Sequence, residues 1–213
     1  MERKLARGRP REYDPEQALT AALGEFRKRG YTATSLDHLS EATKMARPSL
    51  YAAFGNKLGI YRKAVRQYAD ESVERRMHAL FNEPSLHKGL EDYFGEIVSA
   101  YAPREGESLG CPILSVISGE AAADAEIGAE LAAAVEKTDI QFRRRMRMAA
   151  DAGEISAGAD IDGIAAMFAA LQHSLALRAR AGGRRQKLLR IARSHIALVL
   201  KAIGYTGVET MRG

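Results

Sequence analysis

Apolar residues recur at three- and four-residue spacing along most of the chain, the period of helices with one buried face. The first run is clearly punctuated. Asp14 can cap it, Pro15 suits the first helical position, Ala18, Leu19, Ala22, Leu23 and Phe26 form the stripe, and Gly30 stops it. Thr34 followed by Asp37 matches a capping box, which predicts a second helix from about Ser35 with Leu36, Leu39 and Ala42 inward. Thr43-Lys44-Met45 breaks that helix, and Pro48 is tolerated near the start of a third one through Leu50, Tyr51 and Phe54. Gly55 ends the third helix, and Asn56 can cap a long fourth carrying Leu58, Tyr61, Val65 and Tyr68.

Beyond Phe81, breaks at 82–85, 103–110, 153–158 and 182–183 delimit helices at roughly 86–102, 111–122, 126–152, 160–181 and 184–204. The pattern holds no strand pair and no internal repeat. The expected fold is all-α, about nine helices: a basic arm over 1–13, a three-helix head over 14–62, and a regulatory and dimerisation body over 63–213. The last two predicted helices are the most apolar, with Ile161, Ile164, Phe168, Leu171 and Leu175 on one and Leu188, Ala192, Ile196, Val199 and Leu200 on the other. Two readings fit such faces: pairing with a second chain, or a thick core within one.

Charge divides the chain. Residues 1–66 hold 14 Lys/Arg against 7 Asp/Glu, net +7, whereas residues 67–213 hold 18 against 20, net −2. A basic head on a near-neutral body suits a polyanion partner, because Lys and Arg at phosphates release condensed counterions. The arm, Arg7-Gly8-Arg9-Pro10-Arg11, fits an A·T-rich minor groove through Arg9 and Arg11, or is a solubilising tail. The single cysteine, Cys111, suits a reducing compartment. No apolar run approaches the ~18 residues of a membrane span, and the first residues lack a secretory core. These features point to the cytoplasm.

A short helix, a tight turn and a second short helix form the unit that places its second helix in a major groove. Here that second helix presents Arg47, Ser49, Ala52 and Ala53 beside apolar Leu50 and Phe54. Small side chains let the backbone approach the groove. Arg47 can read a guanine edge or bind phosphate, and spacing does not separate the two roles. Tyr51 and Lys57 lie where a hydroxyl and an ammonium reach phosphate; the alternatives are a core tyrosine and a solvated lysine.

Thr34-Ser35-Leu36-Asp37-His38-Leu39, followed by Ala46-Arg47-Pro48-Ser49-Leu50-Tyr51-Ala52-Ala53-Phe54-Gly55-Asn56-Lys57, resembles the TetR family of transcriptional regulators. The resemblance is specific over roughly residues 15–62; beyond them it is one of length, helix count and texture. It implies an all-α homodimer whose recognition helices fit half-sites of a near-palindromic double-stranded operator, with a small-molecule effector changing the spacing of the heads. Thr34, Arg47, Pro48, Ser49 and Ala52, with Tyr51 and Lys57, resemble the DNA-contacting set. The family's usual turn glycine and Ser/Thr cap are replaced by Lys44 and Ala46. Lys44 is then expected at positive φ, where it can add a phosphate contact. The resemblance also implies that the last two helices form the dimer interface, expected from Phe168, Leu171, Leu175, Leu188, Ala192, His195, Ile196 and Val199.

An effector pocket is expected between the fourth helix and those that follow. Its candidate walls are Tyr68, Met77, Phe81, Phe94, Ile97 and Tyr101, then Cys111, Ile113, Ile117, Phe142, Met146 and Phe168, which suggest an apolar or aromatic effector. Cys111, between Gly110 and Pro112, is expected at a helix start that would lower a thiol pKa, as a reactive sensor or as an inert buried thiol. The five histidines show no metal-ligand spacing, and no phosphate loop, G-x-S-x-G or zincin motif is present. No enzyme activity, cofactor or metal is expected. The competing class is an interaction protein that keeps the fold without binding DNA.

Overall fold

The computed structural model describes residues 14–103, 109–122 and 124–207, apart from the side chains of 69–73 and 115. Among the described residues the elements are helices: α1 (Pro15–Arg29), α2 (Leu36–Thr43), α3 (Arg47–Phe54), α4 (Lys57–Phe81), α5 (Leu86–Tyr101), α6 (Leu114–Ile117), α7 (Ala125–Asp151), α8 (Ile161–Arg180) and α9 (Arg185–Ala202).

Local chemistry sets the head's boundaries. Asp14 Oδ1 accepts from the Glu16 and Gln17 amides at 2.9 and 3.4 Å, with Pro15 opening α1. The cap of α2 is Ser35 and not Thr34: Ser35 Oγ accepts from His38 N, and His38 Nδ1 accepts from Ser35 N, both at 3.2 Å. Thr34 sits one residue too early, fully buried, and its hydroxyl donates to Gly30 O at 2.6 Å.

The turn between α2 and α3 has the predicted departure. Lys44 adopts φ 57°, and Ala46 precedes α3 with no side-chain cap. Three neighbours hold the turn in the glycine's absence. Ser40 Oγ donates to Met45 O at 2.6 Å, Thr43 Oγ1 donates to Leu39 O at 2.7 Å, and Met45 N donates to Thr43 Oγ1 at 3.3 Å. Gly55, at φ 85°, then ends α3, and Asn56 Oδ1 accepts from Gly59 N at 2.8 Å to start α4. Gly59 packs so close to Phe54 O that a Cβ there would clash with the carbonyl.

Phe26, Leu39 and Leu50 are fully buried in the head, with Tyr61 set edge-on to Phe26 at 5.3 Å. Residues 14–62 do not close this core alone: Val116, Ile117 and Ile127 complete it from the body. The body's own centre is an aromatic stack, Phe94 on Phe142 at 5.8 Å and Phe142 on Phe168 at 5.9 Å, around which α5, α7, α8 and α9 pack. At the far end Arg145, itself buried, donates to Leu80 O at 2.9 Å beside Glu154, whose carboxylate accepts from Leu86 N at 2.6 Å. Each is the other's ion-pair partner at 3.5 Å and makes hydrogen bonds besides, which offsets the cost of burying them.

The turn's two irregularities yield measurable stability. Ala46→Ser, supplying the missing cap, is expected to raise the unfolding free energy by about 1 kcal/mol. Lys44→Gly should add about 0.5–1 kcal/mol by relieving the left-handed backbone. Urea unfolding midpoints that do not move would contradict this reading of the turn.

Candidate nucleic-acid interface

Burying Leu50 and Phe54 fixes the rotation of α3, and the same rotation turns Arg47, Pro48, Ser49, Tyr51 and Ala52 outward. Tyr51 is 47% exposed, so the core alternative for this tyrosine does not hold. Ser49 and Ala52 contribute only small side chains to this exposed face, beside the longer Arg47 and Tyr51. Arg47 Nε donates to Asp37 Oδ1 at 2.8 Å, and this bond holds the Asp37 carboxyl below its ordinary pKa. The pair is fully exposed, so water and salt screen it and a nucleic-acid partner can compete for the guanidinium. Lys44 is exposed on the turn beside it.

Two predicted contacts are placed differently. Thr34 has no exposed surface and its hydroxyl is bound within the head, so it is withdrawn from the DNA-facing set. Lys57 Nζ donates to Tyr31 O at 2.9 Å and Thr34 O at 3.0 Å, and lies 4.5 Å from the centre of the Tyr31 ring. Its cation braces the loop between α1 and α2, and partial burial pushes its pKa down. Lys63, which the sequence reading passed over, donates to Ala53 O at 3.0 Å at the end of α3. Arg9 and Arg11 lie outside the described residues.

The head meets the body through the segment from Gly110 to Glu120. Arg27 Nη2 donates to both Ala100 O and Gly110 O at 2.9 Å. Tyr61 OH donates to Pro112 O at 2.9 Å, Tyr31 N to Val116 O at 3.4 Å, and Thr32 N to Glu120 Oε1 at 3.2 Å. Arg180 of α8 caps the end of α1, donating to the carbonyls of Arg27 and Lys28.

The other side of that segment walls a cavity of about 120 Å³ between α4, α5, α7 and α8. Tyr68, Met77, Tyr101, Cys111 and Ile113 line it as expected. Phe94, Ile97, Phe142, Met146 and Phe168 do not, because they fill the solid core. Phe81 lies half-buried beneath Arg144, and Ile117 belongs to the junction with the head. In their place stand polar groups missed by a search for apolar periodicity: Tyr93, Lys137, Thr138, Gln141, Gln172 and His173. Cys111 lies buried in the loop ahead of α6, a helix of four residues.

The predicted dimer face also needs correction. Phe168, Leu171, Leu175, Leu188, Ala192, Ile196 and Val199 are buried within the single chain, and His195 is half-buried. The stripe left outside is weaker: Met167, Ala170 and Leu177 on α8, with Ala197 and Leu198 on α9; Leu177 is 58% and Leu198 70% exposed. Those five lie on the two helices chosen, but on their other face.

Residues 18–64 match the family described as bacterial regulatory proteins, tetR family, and residues 90–195 match the tetracyclin repressor-like C-terminal domain. The chain is 32% identical over 203 residues to the HTH-type transcriptional repressor ComR of Escherichia coli (strain K12), covering 92% of this chain and 93% of the relative. It is 29% identical over 138 residues to the HTH-type transcriptional repressor BdcR of the same strain, covering 65% and 70%. A cysteine mutant of the TetR family regulator CifR, solved with 26-bp double-strand operator DNA, superposes with a TM-score of 0.80 at 30% identity, covering 89% of this chain and 98% of that one.

The bracing role of Lys57 separates from any phosphate contact in a measurement made without DNA. Lys57→Met is expected to cost about 1–2 kcal/mol in urea unfolding, through lost charged hydrogen bonds. An unchanged midpoint would return Lys57 to the solvent-facing set.

Proposed function

We propose, for a chain that belongs to the TetR family of bacterial regulatory proteins, that it is a DNA-binding transcriptional repressor acting on a near-palindromic operator as a homodimer in the cytoplasm. As a member of that family it is a regulator and not an enzyme. The observation that carries the reading is the outward face of α3: Arg47, Pro48, Ser49, Tyr51 and Ala52 stand exposed together on a basic head whose core holds the helix at one rotation. Arg47 and Tyr51 supply a charge-assisted donor and a hydroxyl, while Ser49 and Ala52 let the helix axis approach the base edges. Lys44 and Lys63 add positive charge at the two ends of α3.

The exposed stripe on α8 and α9 supports the dimer, since an isolated chain would leave Leu177 and Leu198 in water. Two heads at a fixed separation then read two half-sites. A small-molecule effector filling the cavity pushes on the Cys111–Leu114 wall; Pro112 O within it holds Tyr61 of the head, and Gly110 O just ahead of it holds Arg27. Head spacing follows, and the operator is released. Among the described residues no helix is long and apolar enough to cross a membrane.

Gel shift on DNA flanking the protein's own coding sequence tests the contacts. The combined Arg47→Ala and Tyr51→Ala variant is expected to bind at least about 30-fold more weakly than wild type, from ~1–3 kcal/mol per lost contact. Equal binding by the variant would remove α3 from the interface. In sedimentation at micromolar concentration, Leu198→Arg should convert a dimer to a monomer; a variant that stays dimeric would place the interface elsewhere.

A further inference from the structure

The cavity carries a buried polar group that nothing inside the protein completes. Gln172 of α8 is 9% exposed, and its Oε1 accepts the Tyr93 hydroxyl proton at 2.6 Å. In the structure the carboxamide oxygen is the end held by Tyr93, and Gln172, whose Nε2 carries two N–H donors, lines the cavity. Nε2 has no hydrogen-bond partner among the described residues. An acceptor bound in the cavity gives these two N–H groups a partner.

Among the described residues that line the cavity, Arg76 and Lys137 are the charged ones, and no described Asp or Glu lines it. Asp139, on the same helix as Lys137, lies near enough to His173 to favour its proton, but burial outweighs that and pushes the imidazole pKa down. His173 therefore faces the site as a neutral ring at neutral pH. The remaining wall is apolar, from Met77, Ile113, Leu114 and the faces of Tyr68 and Tyr101. At about 120 Å³ the space is close to a cavity of ~150 Å³ that accepts benzene.

We propose that this cavity binds a small organic monocarboxylate, one ring or about six carbons in size, whose carboxylate accepts from the Gln172 amide in the field of Lys137 and Arg76. The proposal rests on the cavity being the effector site of the regulator described above. A carboxylate is acceptor-only, so it meets donors without leaving an unmatched proton. An amine would bring a third cation to the wall, and an alcohol would answer the amide but not the charge. This replaces the apolar or aromatic effector expected from sequence with an acid having an apolar body.

Calorimetry on the full chain with benzoate and hexanoate, beside their neutral counterparts benzyl alcohol and hexanol, tests the proposal directly. The acids are expected to bind at least tenfold more tightly than the alcohols. Gln172→Leu should weaken benzoate at least tenfold, and Lys137→Met, a change at an exposed position that the fold tolerates, several-fold. Alcohols that bind as well as the acids, acids that do not bind, or a Lys137→Met variant indistinguishable from wild type would each overturn it. The same ligands added to the operator gel shift keep the two readings apart. Benzoate that binds without releasing DNA leaves the ligand class standing and contradicts the effector role, whereas DNA binding with no acid bound contradicts the ligand class alone.

Discussion

The architecture depends on one shared segment, Gly110 to Glu120, whose backbone is bonded on one side to the head and whose side chains wall the cavity on the other. Arg27 is the principal strut, a guanidinium from α1 donating to carbonyls of α5 and of that segment. Charged donors to carbonyls are worth about 1.5–3 kcal/mol each, more than the neutral bonds around them. Val116 and Ile117 enter the head's core from the same segment, so the contact is apolar as well as polar. A displacement at the cavity wall therefore cannot be absorbed locally. Packed interiors shift between arrangements instead of deforming.

The recognition helix is legible in the sequence because its causes are local. Leu50 and Phe54 at four-residue spacing choose the buried face, and the outward set follows by subtraction. Lys44 in the turn was legible for the same reason: a tight break without glycine forces some residue into the left-handed region, and it is Lys44. Sequence did not reveal how the turn tolerates it, because the Ser40 and Thr43 hydroxyl bonds to the backbone are made only once the turn has formed.

Where the reading went astray, the fault has a common physical form. Periodicity reports that a side chain is buried, and says nothing about what buries it. The strongest stripes on α8 and α9 fit a partner chain or a thick core equally well in sequence; a core of four helices consumes them and leaves a thinner stripe outside. The largest aromatics were assigned to a pocket, yet they stack on one another and leave no space. The cavity formed instead where Tyr93, Gln172 and His173 interrupt the apolar pattern. The position of Lys57 at a helix start points toward phosphate, but carbonyls of the loop between α1 and α2 take its ammonium. Such partners are distant in sequence and carry no local signal.

The central claim is that the exposed face of α3, presented twice by a dimer, selects a particular sequence of DNA. Selection of genomic fragments by the purified full-length chain, followed by sequencing of what is retained, tests it most directly. The account predicts one family of near-palindromic sites, with half-sites about one helical turn apart and retention that falls steeply as salt rises. Retention of no fragment at low salt, or of fragments sharing no sequence, would contradict it.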